Sequence, residues 1–491
     1  MRWAGQHDNN ESANVRRRRN QMTTPSSSSS IPVGGIVAAR PWLDRVFPRA
    51  LIALGATLAT ALIGRAQGVP DYEKPPVSYS ASTPTDAVAA LQRRLTSGAL
   101  AFAGSDQSVL ATLLAEFRIP RASQVAVFSK TSLQRGRIRP QRPRVIYFSD
   151  NAFVGWVPGG LVEITTIDPQ LGPVFYAFDL PALRQGPPNI VRDSECLSCH
   201  GGTFVREVPG VFVRSVFASP SGEPLLRYGT QVVDDQTPFA ERWGGWYVTG
   251  YRGTAPHRGN AFATESGDRL VFAPATQRPE ELSEFFDTAD YLAPTSDVVA
   301  LLVFEHQTAM QNAITRAAYA TRKMIVYQRS LQKHFKEPET DEPTYDSVKS
   351  VFAGAVQDVV DRLLFRQEAV LPDGVVGNAA FRAAFAEGAP RSRAGLALKD
   401  LDLRGRIFAQ RCSYLIYSES FAALPEPLKV RIFSRLKSAL ESRDPKDRYA
   451  YLPADEKQRI RAILRETHPE AKRRWGGTAA RPAVTTVRAG Q

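Results

Sequence analysis

Cys196, Cys199 and His200 stand in the order Cys-Leu-Ser-Cys-His, the one place in this 491-residue chain where thiols and an imidazole meet. Thiols at that spacing lie about one helical turn apart, so each can add across one vinyl group of the same porphyrin. The histidine that follows is then held beneath the iron as an axial ligand. The chemistry implied is covalent attachment of one haem c, with His200 as the proximal iron ligand. Two other uses of the thiols fit less well. A redox dithiol calls for a strand before it and a helix after it, whereas Asp193-Ser194-Glu195 and Gly201-Gly202 flank this one and strand-like sequence follows. A structural zinc site needs four ligands, and only Cys412 remains. With Tyr414, Leu415, Ile416 and Tyr417 beside it, Cys412 reads as a buried, inert thiol.

The second axial position decides what such a haem does. Methionine there raises the potential for electron transfer, a second histidine lowers it, and an open position admits ligands. His306 and Met310 stand four residues apart, on one helical face, and rank first as distal ligands. His257, in the turn-rich loop Thr254-Ala255-Pro256-His257-Arg258-Gly259-Asn260, ranks next. Each also suits an ordinary core or solvent role. Met324 falls near the face of His306, and His334 and His468, in charged surroundings, read as surface residues. Phe212, Trp243, Trp246 and Tyr247 could wall a haem, and Arg214, Arg242 and Arg252 could fork onto its propionates.

The elements that must position these residues read as α+β: an antiparallel, strand-rich haem-bearing domain followed by a helical C-terminal region. Asp86 predicts a helix cap over residues 87–95, and Leu110, Leu113, Leu114 and Phe117 share a helical face over 109–117. Short β-branched and aromatic runs at 125–128, 145–148, 152–156, 161–166 and 174–178, separated by turn residues, predict a meander leading to the motif. Residues 211–217 and 225–228 flank Pro220-Ser221-Gly222 as an expected hairpin. From residue 298 to about 335 breakers are few, and further helices are expected at 345–364, 428–440 and 454–466. The resulting division is a leader and signal peptide over 1–66, a linker over 67–85, the haem-bearing domain over 86–295, a long-helix region over 296–395, a small helical unit over 396–471 and a basic tail over 472–491.

Residues 50–63 form an uncharged apolar run followed by Gly64-Arg65-Ala66, the layout of a secretory signal, too short for a comfortable membrane span. Arg16-Arg17-Arg18-Arg19 and a serine run lie far upstream of it, as an extended leader or a misassigned start. Export to the periplasm or another extracytoplasmic space suits covalent haem, and no stable membrane insertion is expected after cleavage. The net charge of +13 is concentrated in the two ends, which hold +6 and +5, so the folded part is nearly neutral and nucleic acid is not an expected partner.

From Cys196 to Gly202 the chain resembles c-type cytochromes. Pro209-Gly210-Val211-Phe212-Val213-Arg214-Ser215-Val216, Arg242-Trp243-Gly244-Gly245-Trp246-Tyr247, His257-Arg258-Gly259-Asn260 and Glu305-His306-Gln307 resemble a group of exported bacterial single-haem proteins of largely uncharacterised activity. The resemblance implies roles for Cys196, Cys199 and His200 alone. It departs from small cytochromes in its strand-rich setting and its lack of a methionine loop. Electron transfer to an unknown redox partner protein is the leading expectation; a redox or gas sensor, or an enzyme acting on a small oxidant such as peroxide, is the alternative.

Overall fold

A computed structural model describes residues 68–180 and 190–476; the leader, the apolar run at 50–63 and the basic tail from 477 onward lie outside the described residues. All eleven described strands precede the longest helix. β1 (Val125–Val127), β2 (Arg144–Phe148), β3 (Ala152–Trp156), β4 (Val162–Asp168), β5 (Gly172–Phe178) and β6 (Ile190–Arg192) follow one another in an antiparallel meander. β7 (Val213–Val216) pairs with β8 (Thr230–Val233), and β9 (Trp246–Tyr247) returns to β1, giving a seven-stranded sheet in the order β6-β5-β4-β3-β2-β1-β9. β10 (Ala263–Ser266) and β11 (Arg269–Phe272) form a separate two-stranded ribbon. With the helices gathered mostly in the C-terminal half, the fold is α+β.

The helices are α1 (Ala87–Thr96), α2 (Asp106–Glu116), the one-turn α3 (Leu197–His200), α4 (Val298–Phe335), α5 (Asp346–Leu363), α6 (Ala379–Ala386), α7 (Glu419–Ala422), α8 (Glu426–Glu441), α9 (Ala454–Thr467) and α10 (Pro469–Trp475). Asp86 caps α1 by accepting the Ala89 amide at 3.0 Å. Its second oxygen accepts from Thr166 Oγ1 at 2.6 Å and Tyr176 Oη at 2.7 Å, so the cap also ties α1 to β4 and β5. The first turns of α4, from Val298 to Phe304, are buried on every side, as they must be in a helix covered all round. Phe304 lies 5.2 Å from Phe148 and 5.6 Å from Phe153, ring centre to ring centre, and so seats α4 on one face of the sheet. Sheet residues and the helices from 298 onward belong to one continuous apolar core. No described helix is long and apolar enough to cross a membrane.

Two local expectations change. The partner of β7 is 230–233 rather than 225–228, because Leu226–Tyr228 closes into a 3-10 turn and Gly229, at φ 99°, redirects the chain before pairing resumes. The lead-in at 69–84, without periodicity in the sequence, nevertheless buries Tyr72 and Tyr79 on two 3-10 turns.

Candidate functional site

The motif hangs from the sheet's edge. After β6, Asp193 accepts the Glu195 amide at 2.8 Å and starts a 3-10 turn that runs directly into α3. Cys196 is half-buried and Cys199 exposed, both as free thiols, and both line a cavity together with His200. The enclosed part of the cavity is about 150 Å³, smaller than the clefts of roughly 300–1,000 Å³ that take up organic ligands, so a ligand of haem size would also fill the open mouth.

The floor of the cavity is the sheet face that also carries α4. Phe153, Thr165 and Phe175 form one row of cross-strand neighbours, and Ile146, Gly155 and Glu163 the next. Arg144 on β2 reaches across β3 to pair with Glu163 on β4. Gly155 permits that reach, since a methyl group there would collide with the guanidinium. Glu163 also accepts from Ser132 Oγ at 2.9 Å and Gln134 Nε2 at 3.2 Å. Burial opposes the charge on Glu163, but Arg144 and these donors outweigh it and hold the carboxyl below its usual value. Arg144 Nε is buried without a partner. It is the one orphaned polar atom in the cavity wall among the described residues.

His200 sits between two phenylalanine rings, Phe175 at 4.8 Å and Phe212 at 5.1 Å. Its Nδ1 lies 2.8 Å from the carbonyl oxygen of Gly210, and Nε2 has no hydrogen bond among the described residues. With Nδ1–H donating to that carbonyl, the lone pair resides on Nε2, the tautomer an iron ligand requires. Burial holds the imidazole pKa below its usual value, so the ring is neutral near pH 7. The Gly210 carbonyl is itself held. Asn312 on α4 donates to the Val211 carbonyl at 2.7 Å and accepts the Val211 amide at 3.2 Å, clamping the next peptide from both sides. A Cβ at 210 would sit 2.6 Å from Asn312 Oδ1, so the clamp requires glycine. The Gly210 amide closes the loop by donating to the His200 carbonyl at 2.8 Å.

Burial, reinforced by Asp193 and Glu163, pushes the Cys196 thiol up to about 12. Redox-active dithiols need the opposite shift. No cluster of three or more His, Cys, Asp or Glu suited to a bare metal ion occurs among the described residues. The cavity residues could hold a haem. The two thiols could take its vinyl groups and Nε2 of His200 its iron, while Phe175, Phe204, Phe212 and Trp246 form apolar walls. Arg214, which lines the cavity over the Phe204 ring at 5.0 Å, is a cation in place for a propionate.

The proposed distal ligands lie elsewhere; none of His306, Met310 and His257 lines the cavity. His306 is fully buried, its Nε2 2.8 Å from Ser413 Oγ and its ring stacked 4.1 Å from Phe365. Met310 fills the core with no exposed surface. His257, expected on an open loop, is buried among Phe239, Trp243 and Tyr251, because its loop folds back over the aromatic segment. His468 is also buried, where it accepts the Glu470 amide at the start of α10. Of the suggested walls and cations, Trp243 and Arg242 turn inward onto Glu305, Tyr247 donates to the Pro140 carbonyl, and Arg252 pairs with Glu280. Arg144, Glu163 and Asn312 have no local sequence signal, since the fold alone brings them to the motif. No family model, no curated protein and no solved structure matches the chain.

Proposed function

We propose that the protein is an exported c-type haem protein carrying one haem bound through Cys196, Cys199 and His200, and that it performs redox chemistry in the periplasm or an equivalent compartment. One observation supports this above the others: both thiols and the unpartnered Nε2 of His200 belong to a single aromatic-walled cavity. The apolar run and small-x-small site at 50–66 support export.

A haem held there would supply one-electron chemistry and binding of a small ligand. His200 would donate Nε2, and the Asn312 clamp fixes the carbonyl that orients the imidazole and sets its basicity. Among the described residues the cavity lining contains no methionine and no second histidine, and Tyr176 Oη is committed to Asp86. This favours a haem that would bind a small ligand over the closed electron carrier expected from the sequence. Arg144 and Glu163 then provide the polar groups beside whatever binds.

The test is the absorption spectrum of the reduced protein, produced with haem-attachment machinery and recorded before and after adding CO. A large CO shift is expected. An unmoved spectrum would return the protein to the closed carrier. Cys196→Ala with Cys199→Ala should abolish haem that survives denaturing electrophoresis, and its survival would overturn the proposal altogether.

A further inference from the structure

A second pocket, of about 560 Å³, opens where the chain leaves α5, between residues 365–370, the loop 402–406 and Arg411, Arg448 and Tyr451. Five arginines line it: Arg366, Arg404, Arg406, Arg411 and Arg448. Three have partners. Arg406 pairs with Asp402 and Glu456 at 3.1 Å each, Arg411 with Glu456 at 2.6 Å, and Arg448 with Asp361 at 2.5 Å. The guanidinium groups of Arg366 and Arg404 make no hydrogen bond or ion pair among the described residues. The carboxylates of Asp402, Glu456 and Asp361 are thus already used, and Arg366 and Arg404 are left without an acidic partner in a concave site.

The backbone around the pocket carries strain. Phe365, Gln367 and Leu403 all adopt left-handed φ, at 53°, 65° and 62°. Each costs on the order of 1 kcal/mol in a non-glycine residue, and such conformations concentrate where a binding site needs them. The lining is not purely ionic. Phe365, Val370 and Tyr451 supply apolar surface, and Tyr451 is fixed by donating to the Leu364 carbonyl at 2.6 Å.

We propose that this pocket binds a small organic phosphate, its doubly charged oxyanion held by Arg366 and Arg404 and its organic part against Tyr451 and Val370. Guanidinium groups recognise phosphate by forked hydrogen bonds. A volume of about 560 Å³ exceeds the needs of a bare ion, which favours an ester. Glu368 is the one carboxyl in the lining without a cationic hydrogen-bond partner. Burial raises it to about 7, so near neutrality its proton is available to an oxyanion instead of a full negative charge opposing one.

The test is calorimetric titration of the full chain at low ionic strength with glycerol 3-phosphate, inorganic phosphate and glycerol. Saturable one-site binding is expected for the ester, weaker binding for inorganic phosphate and none for glycerol. Arg404→Gln and Arg366→Gln should each weaken the ester roughly tenfold, and the pair together should abolish binding. Equal affinity for ester and inorganic phosphate would leave an ion site only and overturn the organic part. The site itself would be overturned by absence of saturable binding in a chain with native circular dichroism, or by unchanged affinity in both variants.

Discussion

His200 and His306 are both packed against phenylalanine rings, both hydrogen-bonded through one nitrogen and both partners of residues distant in sequence. Only one is placed to do chemistry. His200 spends Nδ1 on a backbone carbonyl and keeps Nε2 free beside open space. His306 spends Nε2 on Ser413, faces Asp235 at 3.8 Å through Nδ1 and has no cavity to address. Around His306 the charges neutralise one another. Burial opposes the charge on Asp235, yet His306 and the Arg362 guanidinium hold its carboxyl below its usual value, and Glu305 accepts from both Arg242 and Trp243. Burial and aromatic company therefore do not separate a ligand from a core histidine. A free nitrogen next to a void does.

The strongest way to break this comparison lies in the buried cluster. Glu305→Ala would leave Arg242 and Trp243 Nε1 without their acceptor inside the core. The expected cost is about 3–5 kcal/mol, read from the urea midpoint; a loss under about 1 kcal/mol would mean that the cluster is not integral to folding.

The next effect is a pH dependence. Burial, with help from Arg278, lowers His257 from 6.5 to about 4. Between those values the unfolded chain takes up a proton that the folded chain refuses, so stability is complete above about pH 6.5 and falls as pH drops toward 4. From pH 7 to pH 5 that amounts to about 2 kcal/mol. His257→Gln should flatten the slope by that amount, and an unchanged slope would place the loss elsewhere.

Smallest of all, Met310→Leu should leave the reduced haem spectrum and its CO response unchanged and cost less than about 1.5 kcal/mol. A spectral change would restore Met310 as a ligand and collapse the distinction between the two regions.

Much of the scaffold was legible in the sequence because its signals are local. The alternating runs became β1 to β5 within a residue or two, and the breaker-poor stretch became α4 at 298–335. The motif itself was legible for the same reason. What escaped depends on contact across the fold. Arg144 meets Glu163 only because β3 lies between their strands and carries glycine where the guanidinium passes. Asn312 reaches the His200 loop across 101 residues of chain, from Val211. His257 and His468 read as exposed because their neighbours in sequence are polar, while their neighbours in space are aromatic rings.

The long helix α4 meets the cavity through Phe304, the ionic cluster through Glu305 and the Ser413 contact through His306, three consecutive residues in three settings. Eight residues on, about 12 Å along the axis, Asn312 grips the loop beneath His200. The segment 304–312 is in effect a ruler of fixed length. One inserted residue would turn everything beyond it by about 100° and shift it by 1.5 Å, parting the cavity wall from the clamp. Past Gln332, where the helix runs into solvent at Phe335, length is free to vary. Insertions and deletions among natural variants of this chain should therefore cluster at the far end of α4 and be missing from that nine-residue span.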